Sequence, residues 1–314
     1  MGFENARTET QRNKLKDWFY SSLTPTLEPH GQFHILGTRY HPLDLYTDLI
    51  NSGRYSVSTQ RAINKSRSSG QEVSLWEDKF SIDKLKDIRR ESGSIIFAMQ
   101  YQNDVEMAKG NIFKPHYFKY YSEWTYTNNG EDIAVKYTDE VTGVSEWRIV
   151  KVYIGVDLAI SQKQDADYTV IMVIGRDSEG NIYILDYLKD RLTFNNQLMS
   201  IINYAEKKFP MVERIGVEDV AYQKSMIQEL QRGTVLPVKA IRTVSDKVSR
   251  AQRRSALFEN GKVFFRENMR DLEECLLLFP DVEHDDLFDG VDLAISTIDD
   301  TNKVRILDRS AFRI

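Results

Sequence analysis

The pattern of apolar and polar positions sharpens about halfway along the chain. From Lys151 on, VYIGVDLAI is an apolar run closed by Asp157. YTVIMVIGRDSEGNIYILDYLKD reads as two strands joined by a turn over 177–181. Residues 193–209 repeat at helical spacing, RIGVED is a buried strand ending in Glu218, and AYQKSMIQELQRG is a helix closed by Gly233. VLPVKAIRTV predicts a strand. SDKVSRAQRRSALFENG predicts a helix with Ser245 as N-cap and Gly261 just past its end. KVFFR is a short strand, and DLEECLLLF and DDLFDGVDLAISTI are two closing helices. The order predicts a mixed α/β sheet with helices on its faces.

Before residue 150 the pattern is less regular. The first twenty residues predict a helix with Leu15, Trp18 and Phe19 on one side, followed by the turn segment TPTLEPHG. GQFHILGTRYHPLDLYTDLI predicts a short buried strand over Phe33–Leu36, a loop and a helix. Residues 51–75 read as a strand and a Ser/Gly-rich loop. FSIDKLKDIRRESGSIIFAMQYQND reads as one helical pattern with Ser81 as N-cap. Near residue 110 the composition turns aromatic and polar, as in a linker or insertion with a hairpin. The expected organisation is therefore 1–110, a connecting 111–150, and a domain over 151–314.

Composition narrows the classes. A chain of 314 residues with 41% hydrophobic and 28% charged residues is ordinary globular material, which excludes a mostly disordered or fibrous protein. The lone cysteine, Cys275, excludes an internal disulfide framework and a multi-cysteine metal site. No apolar run reaches the ~18 residues that a membrane span needs, and the N-terminus has no apolar signal core. A soluble intracellular protein with no membrane partner is expected. The net charge of −5 argues against a generic nucleic-acid coat but leaves local patches open.

The chemistry lies in acids at element ends. Asp157 closes one buried strand and Glu218 another, and ligands of open α/β sheets gather beyond the carboxyl ends of strands. HDDLFDGVD places Asp285, Asp286 and Asp289 at a helix start, with Asp286 and Asp289 on one face. Each acid alone has a plain structural explanation, as a turn former or as charge complementing a helix dipole. Together, two strand-end acids and an acidic helix tip form the oxygen-only donor set that suits Mg²⁺ or Mn²⁺. A pair of such ions ~3.5–4 Å apart activates water and stabilises the leaving oxygen of a phosphodiester. His284 is a candidate either to brace a metal ligand from behind or to cap the helix, and Asp167 in DADYT reads best as a loop closure.

The segments VYIGVDLAISQKQDADYTV, RIGVEDVAYQ and HDDLFDGVDLAI resemble the nuclease domain of tailed-phage large terminase subunits over residues 152–298. That resemblance implies an RNase H-like (RuvC-like) mixed sheet flanked by helices, preceded by a small incomplete α/β segment. It implies Asp157, Glu218 and Asp286 as catalytic metal-binding acids, with Asp285 or Asp289 auxiliary. Gly290 stands where the family usually shows Ala. The implied activity is metal-dependent cleavage of double-stranded DNA by a packaging motor, in the cytoplasm of an infected or lysogenic bacterium. The portal protein and the small terminase subunit are the implied partners. GQFHILGTRYHPLDLYTDLI and FAMQYQNDVEMAKGNIFKP resemble the late part of the terminase ATPase and its connector. The chain contains no G-x-x-x-x-G-K-[ST] phosphate loop, so no ATP hydrolysis by this chain alone is expected.

Residues 239–270 hold nine Lys or Arg against three acids. Lys247, Arg250 and Arg254 share one side of the predicted helix and are candidate phosphate contacts that carry no sequence information. A solvated helix face is the plainer alternative, but few acids lie nearby to pair with these cations, which favours DNA. Two other functions stay open: a junction resolvase or transposase on the same fold, and a docking module of the packaging motor without activity of its own.

Overall fold

The computed structural model describes residues 6, 9–66, 69–108, 110–127, 130–139, 142–159, 168–220, 223–243, 245–282 and 284–299. Asp167 lies outside the described residues. In chain order the helices are α1 (Glu9–Trp18), α2 (Leu45–Asn51), α3 (Ile82–Ser92), α4 (Ser94–Gln102), α5 (Phe194–Ile202), α6 (Gln223–Gly233), α7 (Lys247–Glu259), α8 (Arg270–Leu278) and α9 (Asp286–Asp299). The strands are β1 (Ile63–Lys65), β2 (Glu72–Ser74), β3 (Lys119–Tyr121), β4 (Glu123–Tyr126), β5 (Ile133–Thr138), β6 (Ser145–Asp157), β7 (Thr169–Arg176), β8 (Ile182–Asp190), β9 (Val212–Glu218), β10 (Val238–Ile241) and β11 (Val263–Arg266). Two compact units form, one from 1–112 with 246–260 and the other from 113–245 with 261–314. No helix among the described residues is long and apolar enough to cross a membrane.

In the first unit, Phe19, Leu45 and Leu49 form a small core, and β1 and β2 pair as a two-stranded hairpin. Ser81 caps α3 by accepting from Lys84 N, as expected. The single helix expected there is broken at Gly93, which adopts φ 80° and ψ 158°. A side chain at 93 is excluded twice over: that φ disfavours it, and a Cβ would lie 2.9 Å from Ala256 Cβ on α7. The carboxylate of Glu259 on α7 accepts from Ser94 N (2.9 Å) and from the Ser94 hydroxyl, satisfying the new helix start. The N-cap of α7 is Asp246 rather than Ser245, and its side chain accepts from Ser249 N. The strand expected at Phe33–Leu36 is absent: this stretch is irregular, and Leu36 is 97% exposed. An apolar run becomes a strand only with a ladder partner, and no described strand pairs with it.

The second unit is built on one mixed sheet in the order β10-β9-β6-β7-β8-β11-β3, with β4 and β5 extending it through the first half of β6. β6, β7 and β8 are antiparallel neighbours, while β9 runs parallel to β6 and β10 parallel to β9. The buried pattern of β6 from Val152 to Val156 shows that it is covered on both faces. On one face Ile154, Val156 and Leu158 pack with Ile201 of α5 and Met226, Ile227 and Leu230 of α6. On the other face lies α9. Glycines bring its backbone close: a Cβ at Gly155 would lie 2.2 Å from Ala294 N, and one at Gly216 2.0 Å from Thr297 Oγ1. A Cβ on Gly290 of α9 would lie 2.5 Å from Val170 Cγ1. The helix thus crosses β7, β6 and β9 in turn.

Candidate functional site

Register and pleat place the expected acids. Val156 pairs with Val217 across parallel β6 and β9, and each strand ends one residue later, at Asp157 and Glu218. Side chains two residues apart on a strand share a face. Gly155 and Gly216 face α9, so Asp157 and Glu218 emerge on that face too. Asp157 pairs with Val170 near the start of antiparallel β7, and Tyr168 lies two residues before Val170. The Tyr168 N–H donates to Asp286 Oδ1 (3.3 Å), bringing the first turn of α9 to the same end of the sheet. Asp286 is 5% exposed, and Gly290 follows one turn later on the sheet-facing side of α9. Three carboxylates far apart in sequence thus share one edge and one face.

The carboxylates of Glu218 and Asp286 are individually held. Glu218 accepts from the hydroxyl of Thr243, just beyond β10. Asp285 precedes α9, and its carbonyl accepts from Phe288 N (3.0 Å) and Asp289 N (3.4 Å). The Asp285 and Asp289 side chains are half-buried. Among the described residues, no three His, Cys, Asp or Glu side chains are arranged to hold a metal ion. The donors offered at this edge are carboxylate oxygens, the chemistry that suits a hard divalent cation, so the residue types fit such an ion.

Neighbouring residues brace the edge. Gln197 of α5 is buried, and its Nε2 donates to Ala159 O (3.0 Å) and Thr169 Oγ1 (2.8 Å). Ala159 N donates to the same Thr169 hydroxyl (3.2 Å), so the exit of β6 is tied to the entry of β7. The His284 ring packs edge-on to Tyr168, with centroids 5.2 Å apart, so its visible role is an aromatic contact. Cys275 of α8 donates through Sγ to His284 O (3.7 Å). Burial pushes its thiol up to about 11, with Asp285 and Asp286 adding to the shift and Phe288 N–H and Lys189 opposing it.

Sequence reasoning passed over Thr243, Gln197 and Tyr168. A hydroxyl or amide carries no pattern that tells which loop it will face. Asp292, 2% exposed in the middle of α9, was also not singled out. Lys247, Arg250 and Arg254 are half-buried on α7, in the first unit.

The sheet order, antiparallel β6-β7-β8 with parallel β9 and β10, and the acid-bearing edge define an RNase H-like fold with helices on both faces. Residues 154–297 match the family model of the terminase RNaseH-like domain. Among solved structures, a large terminase from a thermophilic bacteriophage, in complex with ATP-γ-S, superposes with a TM-score of 0.55 at 10% identity. That match covers 90% of this chain and 67% of that one, and the likeness is one of fold. The large terminase nuclease from thermophilic phage G20c, solved with bound magnesium, gives 0.43 at 16% identity over 60% of this chain and 97% of that one. The same nuclease with bound zinc gives 0.41 at 17% identity over 59% and 97%. No curated protein matches the chain.

Proposed function

We propose that the second unit is a divalent-cation-dependent endonuclease that hydrolyses phosphodiester bonds of double-stranded DNA during viral genome packaging. The observation that carries this is the convergence of Asp157, Glu218 and Asp286 on one edge and face of an RNase H-like sheet. These three would hold Mg²⁺ or Mn²⁺, with Asp285 and Asp289 as nearby auxiliary oxygens. Such ions supply Lewis acidity at the phosphate and align the attacking and departing oxygens.

The chain's own groups do the rest. Thr243 orients the Glu218 carboxylate, and the Tyr168 N–H fixes Asp286. Gln197 holds the backbone that leaves β6 after Asp157. In this reading Lys247, Arg250 and Arg254 contact backbone phosphates of the bound DNA. The work would take place in the cytoplasm of the bacterial host, with the portal protein and the small terminase subunit as partners and residues 1–110 as the late part of an ATPase domain.

A second reading, a docking module inactive in isolation, is favoured by the lack of a closed three-ligand cluster among the described residues. Incubating supercoiled plasmid with the chain in Mn²⁺, Mg²⁺ or EDTA, beside Asp157→Ala, separates the two. Metal-dependent nicking that disappears in the folded variant is the expected result. An intact plasmid in every metal lane, with DNA binding retained, favours the docking module.

A further inference from the structure

The row of residues across the end of the sheet does not stop at the acids. Glu218 on β9, Asp157 on β6, Val170 on β7 and Lys189 on β8 follow one another through the strand registers. Val170 faces α9, so its cross-strand partner Lys189 emerges on that face as well. Two inter-strand steps of ~4.8 Å put the Lys189 backbone about 10 Å from that of Asp157.

Lys189 and the next-but-one residue, Arg191, are both mounted on the Tyr168 ring. Lys189 Nζ lies 4.6 Å and Arg191 Cζ 4.3 Å from its centroid. The ring is braced by the edge of His284, and its backbone N–H is the donor to Asp286. One residue therefore fixes a site carboxylate with its main chain and carries two cations with its side chain. Lys189 makes no ion pair among the described residues. The Lys189 ammonium, held against a π face, keeps its outward N–H donors and its charge available to an anion. A lysine and an arginine beside an acidic centre suit the phosphate next along a polyanionic strand.

We infer that Lys189 and Arg191, held on Tyr168, grip a backbone phosphate one or two nucleotides from the cleaved bond and so position the DNA strand across Asp157, Glu218 and Asp286. The inference rests on the nuclease reading above. It differs from the α7 basic stripe in predicting contacts from the sheet's own edge. Arg191 and Lys189 act as positioning residues. Their loss weakens capture of the strand and leaves the reacting centre intact.

The test is fluorescence anisotropy of a short labelled duplex with the full chain in calcium chloride, titrated with salt from about 50 to about 200 mM, where each phosphate contact contributes a slope of roughly 0.9 in log K against log salt. Lys189→Gln is expected to lower the slope by about 0.9, Lys189→Gln/Arg191→Gln by at least as much, and Lys189→Arg to keep the wild-type value. In plasmid cleavage the double variant is expected to raise KM several-fold with kcat little changed, the signature of lost uniform binding. A wild-type slope in variants that melt like the wild type overturns the inference and leaves the nuclease reading standing. Should the double variant fail to fold, the single Lys189→Gln decides by the same slope. A wild-type chain that neither binds nor cuts DNA overturns both.

Discussion

Gly155→Ala isolates the contact that sets α9 against the sheet. Gly155 sits inside β6, where alanine is at least as comfortable as glycine, so backbone preference does not oppose the change. The new Cβ would lie 2.2 Å from Ala294 N, 2.6 Å from Ala294 Cα and 2.8 Å from Gly290 O. All three are main-chain atoms of a helix and cannot rotate aside. To reach ordinary contact at 3.4 Å the helix must retreat by about 1.2 Å, the difference between 3.4 and 2.2 Å. Overpacking of this kind costs about 1–3 kcal/mol, and a rigid obstacle belongs at the upper end. At roughly 2–4 °C per kcal/mol for a unit of this size, ~3 kcal/mol lowers Tm by about 6–12 °C. The same retreat carries Asp286 away from Asp157 and Glu218, and a misplacement of about 1 Å costs on the order of 100-fold in rate. Gly216→Ala is the internal control. Its nearest obstacles are side-chain atoms, the Thr297 hydroxyl and Ile241 Cγ1, and the hydroxyl can turn only by giving up its bond to Leu293 O, so a loss nearer the lower end of that range is expected. Circular dichroism melts and plasmid cleavage on the same preparations report both effects. A Gly155→Ala protein within about 2 °C of wild type and equally active would refute the close-packed placement of α9.

Other consequences concern the far end of the sheet and the support of the acids. Asp177, buried in the β7–β8 turn, accepts from Asn181 N (2.8 Å), Tyr183 OH (3.0 Å) and Arg148 Nη1 (3.3 Å). Burial works to raise its carboxyl, but the donors of Asn181, Tyr183 and Arg148 prevail and hold it below the usual value. A depressed folded-state pKa contributes stability above the unfolded value and loses it as pH falls through the folded one. Chemical denaturation should therefore show a component lost below about pH 4, absent in Asp177→Ala, which itself costs about 1–3 kcal/mol at neutral pH because Asn181 and Tyr183 lose their acceptor while Arg148 keeps Glu146 and Glu179. Thr243→Val removes the donor to Glu218 and should lower kcat/KM for plasmid cleavage about 10–100-fold with an unchanged melt, while Thr243→Ser restores it. Full activity in Thr243→Val would separate Glu218 from the chemistry.

What could be read in the sequence follows from what each signal physically encodes. β6 and β9 announce themselves as aliphatic runs closed by an acid because strands covered on both faces exclude polar residues until they emerge. The 177–181 turn was legible from its Asp, Gly and Asn. The break at Gly93 was not, since it depends on Ala256, a residue 163 positions away. Nor was the grouping of α7 with the first unit, because an amphipathic face shows that a helix is covered and not by what. The strand expected at Phe33–Leu36 failed for the converse reason: an apolar run predicts burial, and only a partner turns it into a ladder. The candidate acids were legible one by one, as two strand ends and a helix tip. Their convergence needed the register of β6 with β7 and β9, and the Tyr168 N–H that donates to Asp286.

The central claim is that this edge of the sheet is a divalent-cation site. Titration of the full chain with Mn²⁺, followed by the electron paramagnetic resonance signal of the free ion, tests it most directly. The account predicts saturable binding by the wild-type chain that is weakened at least tenfold in each of Asp157→Asn, Glu218→Gln and Asp286→Asn, all three remaining folded. Mn²⁺ binding that is absent in the wild type, or unchanged in all three variants, would contradict it.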